Sequence, residues 1–170
     1  MIILISGATH TGKTATAQKL MEKYKIPYFS IDHLKMGLIR SGQTDLTVFD
    51  DEKLTPYLWQ IVKEIIKTAI ENGQNLIVEG CYIPFDWEKD FGAEYLPHIK
   101  FYCLIMTDGY IEKNFDAVLQ FENVIERRVS SGADKTELKE ENRRNLLACK
   151  KHGLNYILID KAYDTDIQLN

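Results

Sequence analysis

Cysteine is scarce in this 170-residue chain: Cys81, Cys103 and Cys149 are odd in number and widely spaced. That excludes a disulfide framework and the paired spacings of a structural zinc site. It fits a reducing, cytoplasmic setting in which each thiol serves as a small buried hydrophobe. Only four prolines and ten glycines occur, which excludes collagen-like and low-complexity architectures. No apolar run is long enough for a membrane span. The opening Met1–Ile5 stretch stops at Ser6-Gly7 and carries no basic leader, so it reads as a buried strand and no membrane partner is expected. Basic excess is also missing. The net charge is −4, which argues against nucleic acid as a partner. Arginine is sparse: of 21 basic residues only five are Arg, namely Arg40, Arg127, Arg128, Arg143 and Arg144.

What is present is an ordinary globular composition, 45% hydrophobic and 27% charged, at the size of one domain spanning 1–170. Strand-length apolar runs at Met1–Ser6, Tyr28–Ile31, Asn75–Glu79, Lys100–Met106 and Asn155–Ile159 alternate with segments of helical period. Ile2-Ile3-Leu4-Ile5 and Leu76-Ile77-Val78 are nearly continuous, as strands buried on both faces require. The clearest helix signature runs from Pro56 to Asn72, with Thr55 as its cap and Gly73 beyond its end. Its Leu58, Ile61, Val62, Ile65, Ile66, Ala69 and Ile70 form one core-facing stripe. Repeated strand, helix, strand predicts an α/β fold with a parallel sheet between two helix layers.

The decisive stretch is Gly7-Ala8-Thr9-His10-Thr11-Gly12-Lys13-Thr14, a full G-x-x-x-x-G-K-T match between a strand and a helix. Gly7 and Gly12 permit backbone angles and a close approach that a side chain forbids. The amides of the loop, Thr9, His10 and Thr11 included, then converge on phosphate oxygens at the positive end of the helix. Only the backbone of His10 is needed for this, so its imidazole reads as solvent-facing or packing. Lys13 supplies a point charge to the β- and γ-phosphates, and the Thr14 hydroxyl is a candidate ligand for Mg²⁺. ATP and Mg²⁺ are the expected cofactors.

On this motif and the strand–helix layout around it, the sequence resembles the nucleoside monophosphate kinase-like superfamily of P-loop kinases, which includes adenylate, shikimate and gluconate kinases and the zeta-toxin kinases. The Ile77-Val78-Glu79-Gly80 strand end is also similar to nucleotide kinases and 2-phosphoglycerate kinase-like proteins. The resemblance implies a three-layer P-loop NTPase fold, a five-stranded parallel sheet in the order 2-3-1-4-5, and a lid between the fourth strand and the last. The D-x-x-G and [NT]-K-x-D patterns of GTPases are absent from the sequence.

The resemblance also implies roles for residues outside the loop. Asp32, at the end of the second strand, falls where relatives carry an acid near the acceptor. It could take the acceptor hydroxyl proton, hold a Mg²⁺-bound water, or merely cap a helix. A helix from Asp32 places Met36 and Arg40 on its face, with Lys35 beside them, so Lys35 and Arg40 are expected to hold an anionic acceptor. Glu79 stands where the Mg²⁺-side acid sits, with a solvent-reaching strand-end charge as the plainer reading. Between the fourth strand and the last, Val129–Thr136 is small and polar, flanked by helices carrying four of the five arginines. This predicts a short lid over 127–144, with Arg127 or Arg128 near the adenine, Arg143 or Arg144 near the phosphates, and Lys135 at the tip. The alternative is a pair of solvated helix faces with ion pairs to Glu137, Glu140 and Glu141. Among the specific assignments, Arg128 and Arg143 are the catalytic candidates and Arg127 the nucleotide contact. Tyr82, Phe85 and Trp87 either line an acceptor pocket or pack the core, and Asp45–Asp51 reads as an exposed acidic loop.

These readings converge on an ATP-dependent phosphotransferase acting on a small anionic metabolite or nucleotide, monomeric or homodimeric. A nucleoside monophosphate kinase, a non-catalytic nucleotide-binding regulatory module and a toxin-like kinase acting on sugar nucleotides stand beside it.

Overall fold

The computed structural model describes residues 1–120 and 134–169. Five strands, β1 (Ile2–Gly7), β2 (Tyr28–Ser30), β3 (Leu76–Glu79), β4 (Ile99–Met106) and β5 (Tyr156–Ile159), form one sheet in the order β2-β3-β1-β4-β5. Every pairing is parallel, so each connection must cross over the sheet. Two 3-10 turns, Trp87–Asp90 and Leu96–His98, lie in the crossing from β3 to β4, and the other three crossings are made by α-helices. These are α1 (Lys13–Tyr24), α2 (Ile31–Arg40), α3 (Asp51–Glu71), α4 (Asp108–Gln120) and α5 (Lys135–His152). The expected strand order and three-layer α/β architecture are both present.

The central strand β1 is buried along its full length, and Ile2, Ile3, Leu4 and Ile5 expose no surface. Its alternating side chains feed two cores. Ile2 and Leu4 meet Leu54, Leu58, Val62 and Ile66 of α3. Ile3 and Ile5 meet Ala17 and Leu20 of α1 and Ile111 of α4. Each such aliphatic side chain contributes about 1.5–3 kcal/mol by leaving water. A second consequence matters more for function: the two layers clamp β1, and the loop that leaves it starts from a fixed point.

Several strand and helix ends shift by a single residue from the sequence reading, and two boundaries differ with structural consequence. Ile31 belongs to α2 rather than to β2, and its side chain is fully buried. The long helix begins at Asp51, not Pro56, so Pro56 lies inside it. Thr55 therefore does not cap; its hydroxyl donates back to Asp51 O at 3.1 Å. The early start brings Leu54 into the core with no exposed surface, a tertiary gain that outweighs the N–H proline cannot donate to the preceding turn. No helix among the described residues is long and apolar enough to cross a membrane.

Candidate active site

The loop from Gly7 to Lys13 is shaped by its carbonyls as much as by its glycines. Gly7 has φ 151°, and a Cβ there would lie 2.7 Å from both Leu104 O and Thr11 Oγ1. Gly12, at φ 78°, precedes the first residue of α1 in a left-handed conformation, where glycine is at ease. His10 also adopts a left-handed conformation, φ 62°, without that freedom; it is half-buried. Side chains then tie the loop's carbonyls back. Thr11 Oγ1 donates to Ala8 O at 2.8 Å, and Lys13 Nζ donates to the same oxygen at 2.8 Å. The Tyr163 hydroxyl lies 3.0 Å from Thr11 O and 3.3 Å from Gly12 O. Thr16 Oγ1 adds a 3.0 Å bond to Gly12 O. Carbonyls that would repel a phosphate are thereby occupied, while the start of α1 contributes the positive end of a helix.

Across the sheet from this loop stand the acids. Glu79 ends β3 in register with Ile5 of β1 on one side and Ser30 of β2 on the other. Its carboxylate is 1% exposed, and Oε1 accepts from the Thr14 hydroxyl at 3.2 Å. A buried carboxylate beside a hydroxyl at a helix start offers the hard oxygen ligands Mg²⁺ prefers. The two residues picked out for the metal therefore do come together. No cluster of three or more His, Cys, Asp or Glu suited to a metal occurs among the described residues; Mg²⁺ at a phosphate site ordinarily takes one or two carboxylates and fills its shell with phosphate and water oxygens.

Asp32 lies in the first turn of α2, two residues beyond the N-cap Ser30, so it is not the cap. Its Oδ1 accepts from Lys35 Nζ at 2.6 Å, and that ammonium also reaches the Tyr82 hydroxyl at 2.9 Å. Tyr82 in turn donates to Asp51 Oδ1 at 2.8 Å, and burial, followed by the nearby Cys81, pushes its hydroxyl pKa up. Asp51 thus joins this half-buried chain rather than a loop without chemistry. Lys35 is engaged by Asp32 and Tyr82. Arg40 is exposed at the far end of α2, about 12 Å along the axis from Asp32. The lysine and arginine expected to grip one anion are not brought to one point.

Cys81 follows Gly80 just beyond the end of β3, and burial pushes its thiol up to about 11. A thiol shifted upward by burial is mostly protonated at neutral pH and a poor nucleophile. Iodoacetamide at pH 8 is expected to modify Cys81 in the folded protein about a hundredfold more slowly than in the urea-unfolded chain. Mass-spectrometric time courses check this; equal rates would show that the burial is not maintained.

Arg127 and Arg128, with most of the expected lid, lie outside the described residues. Arg143 is described, and its Nε donates to Asp108 Oδ2 at 2.9 Å, with Nη2 on the same carboxylate; this pairing raises its pKa. Arg144 is exposed. Lys135 opens α5 and bonds Glu112 at 3.2 Å, while Asp134 caps the helix by accepting from Thr136 N and Glu137 N. The α5 residue on the phosphate loop is Glu141, whose oxygens accept from Thr9 N at 3.3 and 3.2 Å. Sequence reasoning named Glu141 only in the alternative of solvated, ion-paired helix faces and passed over Tyr163. Neither carries a local signal, because their partners lie 132 and 152 residues away.

Known structures share this fold. A candidate kinase from Chloroflexus aurantiacus j-10-fl matches with a TM-score of 0.57 at 17% identity, over 95% of this chain and 88% of that one. A sugar kinase from Janibacter sp. HTCC2649 gives 0.51 at 15% identity, over 94% and 84%. A shikimate kinase from Bacteroides thetaiotaomicron gives 0.50 at 13% identity, over 94% and 86%. The chain has the fold of a P-loop kinase. No family model matches its sequence, and no curated protein is significantly similar to it. At these identities the likeness concerns the kinase fold alone, and function must be argued from the site.

Proposed function

We propose that this chain is a phosphotransferase that moves the γ-phosphoryl group of ATP, bound with Mg²⁺, onto a hydroxyl of a small acceptor. The observation that carries the reading is the 3.2 Å contact between Thr14 of the phosphate loop and the buried Glu79, with Asp32 two residues past Ser30, the register partner of Glu79 on β2, in a kinase fold. Phosphoryl transfer asks little covalent chemistry of a protein and much positioning. The loop amides and Lys13 hold the phosphate tail and neutralise charge that grows on its oxygens. Thr14 and Glu79 would hold Mg²⁺, which when bound offsets charge on the β- and γ-oxygens. Asp32 accepts the proton of the attacking hydroxyl and aims its lone pair at phosphorus. Tyr82 and Asp51 fix the direction of Lys35, which fixes Asp32 in turn.

Incubation of the protein with Mg²⁺ and radiolabelled ATP against a panel of small hydroxyl compounds is expected to yield a labelled product. Chelating the metal with EDTA should abolish labelling, and Glu79→Gln should raise the Mg²⁺ concentration needed for half-maximal rate by roughly tenfold or more. A panel that stays unlabelled throughout, with Mg²⁺-ATP bound, would remove the catalytic reading.

A further inference from the structure

One peptide unit in the phosphate loop is held from both ends. The carbonyl of Ala8 accepts from Lys13 Nζ at 2.8 Å. The N–H of the same peptide, on Thr9, points between the two oxygens of Glu141 at 3.3 and 3.2 Å. A loop amide of this kind is the donor that takes a phosphate oxygen, and the lysine of this motif reaches the β- and γ-phosphates. Because the Lys13 ammonium lies on this peptide, the Thr9 amide belongs to the terminal-phosphate end of the cradle. A carboxylate sits on it, presenting two anionic oxygens as a phosphate would.

Glu141 does not drift with a loose helix. Its neighbour Asn142 is 1% exposed. Asn142 Oδ1 accepts from Met106 N of β4 at 2.8 Å, and Nδ2 donates to Leu138 O at 2.8 Å. Leu138, one turn before Glu141, is buried in the core shared with β1 and α1. The backbone that carries Glu141 is thus fixed to the carboxyl end of β4, the strand paired with β1.

We propose that Glu141 is a specificity-determining residue for the nucleotide, an internal anion that a terminal γ-phosphate must displace and a diphosphate need not. One N–H cannot serve two anions, and like charges in a half-buried site repel strongly. Triphosphate entry therefore turns the carboxylate away and frees Lys13 from Ala8 O in the same event. A diphosphate, ending one phosphate short of this amide, leaves the Glu141 contact in place. The carboxylate in this way sets the ratio of ATP to ADP affinity. The proposal rests on the phosphotransferase reading in taking the Thr9 amide as the γ-phosphate donor.

Calorimetric titration of ATP and of ADP, each with Mg²⁺, into the full-length protein and its Glu141→Gln and Glu141→Ala variants tests it. Glu141→Ala is expected to tighten ATP about tenfold and to leave ADP within about twofold, with Glu141→Gln moving the same way by less, since its amide keeps an acceptor oxygen without the charge. ATP and ADP shifting together would overturn the proposal, as would unchanged or weakened ATP binding, with or without a drop in Tm. Binding of neither nucleotide by the unmutated protein would overturn the cradle itself, a result separate from nucleotide binding that Glu141 does not tune.

Discussion

Lys13→Ala is expected to lower phosphoryl transfer by roughly a thousandfold while leaving the chain folded. The first half follows from the charge. Lys13 is 6% exposed, so its ammonium acts where water screens it weakly, and nothing else on the loop supplies a positive point charge at the phosphate tail. The second half follows from the contact it makes. Ala8 O, the oxygen that Lys13 bonds, is also served by Thr11 Oγ1 at 2.8 Å and by Thr11 N at 3.3 Å. Removing the ammonium leaves that carbonyl satisfied, and a satisfied carbonyl carries no large penalty. Steady-state rates alongside a thermal melt separate the two halves. A variant that melts with the parent and turns over at a similar rate would remove Lys13 from the chemistry.

Asp32→Asn is expected to cut turnover by roughly a hundred- to ten-thousandfold with little change in ATP affinity. The amide keeps the size and polarity of the carboxylate but cannot take a proton. A purely structural Asp32 would behave otherwise. Its place in the first turn of α2 gives a favourable interaction with the helix end of about 0.3–1 kcal/mol, and loss of that would lower Tm without touching kcat selectively. The contact with Lys35 at 2.6 Å weakens in the same variant, so Lys35→Met serves as the control. If Lys35→Met alone reproduces the full loss, Asp32 acts by positioning rather than as the proton acceptor.

The sheet was legible because parallel strands buried on both sides need continuous apolar runs, and Ile2–Ile5 and Leu76–Val78 could be little else. The phosphate loop was legible because its geometry is written locally, in glycines at φ 151° and 78°. Thr14 and Glu79 could be paired through the strand order that the family resemblance implies. The start of α3 misled because Thr55-Pro56 has the chemistry of a helix start, while the burial of Leu54 that extends the helix depends on a sheet far away in sequence. Arginine clustering pointed to α5, yet the side chain that reaches the loop is Glu141, one helical turn past Leu138. Which face of α5 turns inward is decided by Asn142 bonding Met106 N, a long-range match that no local pattern encodes. Asp51 and Tyr82 were divided between loop and aromatic cluster for the same reason.

The bond from the Tyr163 hydroxyl to Thr11 O joins residues 152 positions apart. A ribosome emits the amino end first, and domains fold as their segments emerge. The phosphate-binding turn is therefore synthesised well before Tyr163 and acquires its final shape only afterwards, since residue 163 must leave the exit tunnel before two of its carbonyls are tied down. A nascent chain stalled before that point carries the glycine motif in full but lacks this tether, so a nucleotide bound there as proposed would stabilise the finished molecule rather than act as an early folding aid.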